Sequence, residues 1–531
     1  MDNRFPRINP TTKNLADEKF RWLAEHFPEA VTESYDGEGR LVRAIDKEKL
    51  MQDIAHYVVD GPKERYQFTW PGKKKAILTA NAPIARALRP CKEESVNFDK
   101  TENLYIEGDN LDVLKSLREV YLGKVKMIYI DPPYNTGNDM VYEDDFAQSM
   151  EDYKEIDGER DENENRLFPN TESNGRFHTD WLNMIYPRLK IARDFLSDDG
   201  VIFISIGDDE EPNLLKVCNE ILGEHNFIAN ICHKHRASIS NDRIVSENHN
   251  HLLFYAKNIE TVFFNHKRIG EDPNLEGFSQ IDSRGKYRLT PVDGPGGAKK
   301  GNPHYEFLGI NGYWRYSKET MQKKYDQGLI VRTKNNLQQK YYLTQAMETR
   351  KTVTTWWDEG FLTSSATKEL SLLMGGKVFD NPKNVNLLIR MLKMITIFDS
   401  APIILDFFSG SATTAHATMQ LNAEAGGQRK FIMVQLPEAC EEGTEAYKAG
   451  YKNICEIGKE RIRRAGKKIR DDLQASISSA KAKLKKLEED QKRNPELIGG
   501  AKLRSKLWMR SGRRFGRKPS ALPRLTPVSA F

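Results

Sequence analysis

Cysteine is scarce, with five in 531 residues at positions 91, 218, 232, 440 and 455. None forms a C-x-x-C pair, which argues against a disulfide scaffold or zinc ribbon and fits a reducing, cytoplasmic setting. Long apolar runs are missing too. No stretch nears the roughly 20 residues that span a bilayer, and the first residues (MDNRFPRINPTTKN) lack the apolar core of a secretory signal. Neither G-x-G-x-x-G nor G-x-x-x-x-G-K-[ST] occurs, which disfavours a dinucleotide fingerprint and a P-loop ATPase. A large excess of one charge is also absent, since 81 Lys and Arg face 76 Asp and Glu. With 38% hydrophobic and 30% charged residues the composition is that of a globular chain. At about 150 residues per domain, the length allows roughly two to four.

The near-neutral total hides segregation. Residues 1–233 hold 30 basic and 45 acidic side chains, 234–370 hold 21 and 15, and 371–500 hold 21 and 16. The last stretch, 501–531, has nine basic residues and no acid. Basic character therefore begins mid-chain, a mild footprint for a polyanion over 234–370.

Hydrophobic patterning supplies the organisation. Residues 15–30 carry apolar side chains at near-helical spacing, and 60–100 are loop-rich with four prolines. NLYIEGDN reads as a strand ending at Gly108-Asp109, LDVLKSLREV as a helix, and KVKMIYI as a strand stopping at Asp131. Residues 143–164 are acidic and polar, as in a surface loop. A helix (TDWLNMIYPRLKIARDFL), a turn at Asp199-Gly200 and a strand (VIFISI) follow. Residues 234–370 lose periodicity. Alternation returns with APIILDFF, a turn at Ser409–Ala412, a helix (TTAHATMQL) and a strand (KFIMVQ); Ile454–Leu487 patterns as a long amphipathic helix, or two. This predicts an α/β fold with a mostly parallel sheet interrupted by an irregular insert. The expected segments are 1–100 (N-terminal helical and loop region), 101–233 and 371–453 (two halves of the α/β domain), 234–370 (insert), 454–500 (helical arm) and 501–531 (basic tail).

Two short motifs carry chemistry. Asp131-Pro132-Pro133-Tyr134 ends a strand, where open α/β sheets place ligands. Two prolines stiffen the loop and remove two N–H donors. Tyr134 can stack on a flat heterocycle, while Asp131 and the Pro132 carbonyl accept both hydrogens of its exocyclic amine. Such an amine is a poor nucleophile because its lone pair is delocalised into the ring. Two acceptors hold the nitrogen nearer to sp³, and the carboxylate favours the charge developing there. The plain alternative is a proline turn after a strand. The second motif is Asp406-Phe407-Phe408-Ser409-Gly410-Ser411-Ala412-Thr413-Thr414, between a strand and a helix. Its glycine admits a ligand close to the backbone, Asp406 suits an ammonium group, and Glu438 after the next strand suits ribose hydroxyls. The plain alternative is an ordinary strand-to-helix turn. His233, His235, His249 and His251 lack metal-ligand spacing and read as surface or core histidines, so no metal site is expected.

D-P-P-Y followed by D-x-F-x-G-x-x-T-T resembles the DNA amino-methyltransferases that use S-adenosylmethionine, in the motif order of the permuted β group. YIDPPYNTGNDMVYEDDF, NGRFHTDWLNMIYPRLKIARDFLSDDGVIFISI and ILDFFSGSATTAHA closely resemble the modification subunit of type III restriction systems. The resemblance runs from about residue 33 to about 472. It implies a Rossmann-like methyltransferase sheet with permuted motif order, interrupted at 234–370 by a target-recognition domain. It implies methyl transfer to adenine N6 in a short duplex sequence after base flipping, with Asp131, Pro132, Pro133 and Tyr134 as the catalytic motif. Asp406, Phe408, Gly410 and Thr413 match the motif for the methionine part of the cofactor. Glu438 matches the ribose acid, Asp109 the contact to the cofactor's adenine, and Lys383 in NPKN the motif before the cofactor strand. Position 412 is Ala where a second glycine is usual. The implied partners are double-stranded DNA, a second copy in a homodimer and a separate restriction subunit, with no membrane. In the insert, Tyr305, Phe307, Tyr313, Trp314, Tyr316, Trp356 and Trp357 lie among basic residues, suited to stacking and phosphate contact or, for most, to a small core of their own. The end of the chain reads as truncated, out of frame, or a basic DNA-binding tail. A recognition subunit with impaired catalysis, or a methyltransferase of RNA or protein amides, are the alternative functions.

Overall fold

The computed structural model describes residues 15–26, 31–35, 40–45, 47, 50, 68–136, 176–239 and 244–493. The acidic stretch 143–164 and the basic tail 501–531 lie outside the described residues. Two compact units emerge. One runs to Val262 and adds Thr355–Leu392 and the chain from Asp399; the other is Phe263–Thr354 with Lys393–Phe398. No helix among the described residues is long and apolar enough to cross a membrane.

The first unit is built on an eight-stranded sheet: β1 (Leu104–Glu107), β2 (Val125–Ile130), β3 (Leu196–Ile206), β4 (Phe227–Lys234), β5 (His249–Ala256), β6 (Trp356–Trp357), β7 (Ile403–Asp406) and β8 (Lys430–Gln435). The spatial order is β6-β4-β5-β3-β2-β7-β8-β1. Strands β3, β2, β7, β8 and β1 pair in parallel, and β5 joins β3 and β4 antiparallel. The parallel strands are buried on both faces, which is why β2 (VKMIYI) and β8 (KFIMVQ) read as continuous apolar runs rather than alternating ones. Helices α1 (Asn110–Tyr121), α2 (Phe177–Phe195) and α3 (Glu211–Cys218) help to cover one face. Helices α4 (Thr413–Ala425) and α5 (Ile454–Arg493) pack on a second core with Tyr105 and Phe431. The first turns of α5 bury Cys455, Ile457, Ile462, Ala465 and Ile469, whereas Leu484 near its far end is exposed.

The motif order has a geometric consequence. Strand β7 inserts beside β2, with Leu405 opposite Ile128. The carboxyl ends of the strands carrying Asp131 and Asp406 therefore meet.

The chain turns at Asp199-Gly200 as expected. The β2–β3 register jumps from Leu196 to Val201, and a Cβ at Gly200 would lie 3.0 Å from the Ser197 nitrogen and 2.8 Å from its carbonyl oxygen, which only a chain reversal over 197–200 brings so near. Two expectations need correction. The insert is narrower than 234–370, because β4, β5 and β6 hydrogen-bond into the central sheet. Trp356 and Trp357 accordingly belong to that sheet. The long helix also extends past Leu487, to Arg493.

The second unit has a four-stranded antiparallel sheet, in the order 330–332, 337–342, 285–291 and 280–282. Its core holds Val292, Phe307, Trp314, Met321, Ile330 and Leu337, with Tyr305 and Tyr316 packed against it. Those four aromatics serve the core.

Candidate active site

The tetrapeptide after β2 is clamped from several sides. Trp181 of α2 donates its indole N–H to the Pro133 carbonyl at 2.8 Å. Asn135 turns the chain with φ of 61°, a left-handed geometry that Asn tolerates. Its buried amide donates to the Phe177 carbonyl at 3.2 Å and to Glu210 Oε1 at 2.6 Å. Glu210, fully buried, also bonds His178 Nδ1 at 2.6 Å and Asn213 Nδ2 at 2.9 Å. The Tyr134 ring lies against Gly207, where an added Cβ would approach Cδ2 to 3.1 Å. Among the described residues no hydrogen bond reaches the Pro132 carbonyl, so it stays available as an acceptor.

Lys383 completes this loop. Its Nζ lies 2.9 Å from Asp131 Oδ1, donates to the Tyr134 hydroxyl at 2.8 Å and sits 4.7 Å from the centre of the Tyr134 ring. Burial opposes the lysine's charge most strongly, but Asp131 and Tyr129 together outweigh it and hold its pKa above the usual lysine value. The ammonium thus fixes both acidic and aromatic partners, leaving the second Asp131 oxygen for a donor on the substrate. Lys383→Met should lower kcat about 10- to 100-fold, the worth of one hydrogen bond to a charged group. Cofactor Kd measured by titration calorimetry should stay within about twofold of wild type, because no cofactor-turn residue loses a partner.

The second motif folds into a tight turn between β7 and α4. Asp406 is 2% exposed, accepting from Thr414 Oγ1 at 2.5 Å and from the Phe408 N–H at 3.2 Å. Burial pushes its carboxyl up to about 7, and the nearby Asp131 charge adds to the rise. An acid so placed is completed by a cation. Gly410 and Ala412 both take left-handed backbone, with φ of 49° and 60°. Ala at 412 therefore stands where glycine is conformationally favoured, at a cost of about 1–2 kcal/mol. The turn is braced by Gln435 Oε1, which accepts from the Gly410 N–H at 2.6 Å. Arg461 of α5 braces it too, donating to Ser411 Oγ and Thr413 Oγ1, each at 2.7 Å.

A family model described as DNA methylase matches residues 125–461, a span that holds both motifs and the insert between them. The chain belongs to the DNA methylase family. It is 34% identical over 493 residues to the type III restriction-modification enzyme EcoPI Mod subunit of Escherichia phage P1, covering 84% of this chain and 74% of that protein. It is 35% identical over 476 residues to the StyLTI Mod subunit of Salmonella typhimurium, covering 86% and 72%. The type II methyltransferase M.KpnI of Klebsiella pneumoniae is 29% identical over 392 residues, covering 68% and 87%. The protein is a DNA methyltransferase of the type III modification-subunit group.

Within this methylase the expected site residues divide. Asp109 and Glu438 lie beyond the carboxyl ends of β1 and β8, strands paired directly with each other. Glu438 is partly buried and its pKa is raised by that burial. Asp109 has both oxygens engaged: Oδ1 accepts from the Leu111 and Asp112 N–H groups, capping α1, and Oδ2 takes Arg188 Nη2 at 2.9 Å. Phe408 is buried in the main core beside Phe407. Lys383, expected on the cofactor side, instead lies on the catalytic tetrapeptide. His233 is a core histidine whose pKa burial lowers to about 3. Glu210, Gln435, Arg188 and Arg461 were not foreseen. Each acts across more than 20 residues of chain, and no local pattern marks it.

Proposed function

We propose that this methylase transfers a methyl group from S-adenosylmethionine to adenine N6 in a specific duplex sequence, as the modification and recognition subunit of a type III restriction-modification system. The observation carrying this reading is the adjacency of β2 and β7. Asp131, presented for an exocyclic amine, lies close enough to Asp406, presented for a cation, that its charge raises the Asp406 pKa. Asp406 fits the ammonium of the cofactor's methionine part, Gly410 and Thr413 shape the turn around it, and Glu438 suits its ribose. When bound, S-adenosylmethionine supplies an electrophilic methyl group on a sulfonium.

The chain's own residues supply position and acceptors. An adenine swung out of the duplex stacks on Tyr134, held by Lys383 and backed by Gly207. Its N6 hydrogens go to the free Asp131 oxygen and the Pro132 carbonyl, which offset the positive charge developing on nitrogen as it attacks. The unit at 263–354 is the proposed target-recognition element, and a separate restriction subunit with helicase and nuclease activity is the proposed partner for cleavage. Incubating the protein with labelled S-adenosylmethionine and duplex DNA, then mapping modified bases genome-wide, should reveal N6-methyladenine at one short motif. Intact cofactor binding without transfer to any duplex, or label on cytosine, overturns the reading.

A further inference from the structure

We infer that Asp208, His249 and His251 form a binding site for one divalent metal ion of the zinc type. Asp208 follows Gly207 at the carboxyl end of β3. His249 and His251 open β5 two residues apart, so both side chains stand on one face of the sheet. His251 Nε2 lies 2.7 Å and His249 Nε2 3.8 Å from the same atom, Asp208 Oδ1. The three candidate ligand atoms all fall within 4.8 Å of one another. Tetrahedral bonds of about 2.0–2.2 Å put neighbouring ligand atoms about 3.3 Å apart, between those two separations.

The hydrogen bonds around the cluster give an independent reason for a cation. Asn230 on β4 donates its amide nitrogen to Glu211 Oε1 at 2.9 Å, which turns its oxygen toward His251 Nδ1 at 3.0 Å. With Nδ1 donating, Nε2 meets the carboxylate either as the second N–H of an imidazolium or as a lone pair that a metal ion bridges to Asp208. A proton satisfies the 2.7 Å pair alone, whereas a metal ion also uses the second imidazole, which faces the same oxygen at 3.8 Å. Asn230 supplies the orienting outer bond that metal-bound histidines usually have. Two imidazoles and one carboxylate suit zinc better than magnesium or calcium. Cys232 faces His251 across the β4–β5 pair and feels the Asp208 charge. An ion here would tie the β4–β5 hairpin to the loop whose Gly207 backs Tyr134.

The test uses the full chain stripped with chelator, titrated with Zn²⁺ by calorimetry and with Co²⁺ by visible absorption. One equivalent of Zn²⁺ should bind and raise the thermal midpoint. His249→Ala with His251→Ala should weaken binding at least about 100-fold, and Asn230→Ala about tenfold. If the double variant misfolds by circular dichroism, Asp208→Asn provides the same loss with little change in shape. Absence of binding at micromolar Zn²⁺, or unchanged affinity in a folded variant, overturns the assignment. These readouts do not depend on methyl transfer.

Discussion

Asp131→Asn is expected to lower kcat for methyl transfer about 10²- to 10³-fold, the usual loss when one preorganised group facing developing charge is removed. The substitution keeps the shape of the side chain and one acceptor oxygen, so the fold should persist, but Lys383 loses the charge that offsets its burial and the thermal midpoint should fall. What disappears is the negative charge beside the nitrogen that becomes positive. Cofactor binding should not weaken. Asp131 helps to raise the Asp406 pKa, so its neutralisation should slightly tighten binding below pH 7. Single-turnover transfer to duplex DNA measures the first effect and calorimetry the second. Combining Asp131→Asn with Lys383→Met should cost little beyond the first change alone, because Lys383 acts largely through Asp131. A variant retaining a tenth of wild-type turnover would remove Asp131 from the chemistry.

The two motifs were legible because their signals are local. A pair of prolines after an apolar run, and a glycine turn between strand and helix, constrain the backbone wherever the rest of the chain goes. The alternation around them also revealed the sheet. The turn at Asp199-Gly200 was legible for the same reason, a glycine after two aspartates. Trp356 and Trp357 misled because a two-residue edge strand has no period to detect. Lys383 lies 249 residues from the tyrosine it holds, and Arg461 lies 48 from the threonine it braces. Only the closure of the sheet brings such pairs together. The histidines illustrate the same limit. The group proposed to join His249 and His251, Asp208, comes from a different strand end, so no spacing along the chain could link them.

Asp406→Asn should separate cofactor binding from stability, with opposite signs. Asparagine can still accept from the Phe408 N–H and donate to Thr414 Oγ1, so the turn keeps both bonds. It cannot pair with an ammonium, and cofactor affinity should fall about 10²- to 10³-fold. In the cofactor-free wild type, the Asp406 carboxyl titrates near 7 rather than near 3.8. The unfolded chain therefore gives up this proton near pH 4, while the native state keeps it to about 7. Stability from this group is fully present below about 4 and is lost as pH rises through about 7, by roughly 4 kcal/mol. Asparagine has no proton to lose, so the cofactor-free variant should melt above wild type at pH 8, by less at pH 5, and close to it only below about pH 4. Binding works in the other direction. The cofactor's cation needs the ionised acid, so wild-type affinity should fall about tenfold for each pH unit below 7. Scanning fluorimetry without cofactor and calorimetry with it, both from pH 5 to 8, measure the two trends. Cofactor affinity that stays flat across that range would mean that Asp406 is already ionised without a cation beside it, and an Asn variant that binds as tightly as wild type would remove the acid as the cofactor's counter-charge.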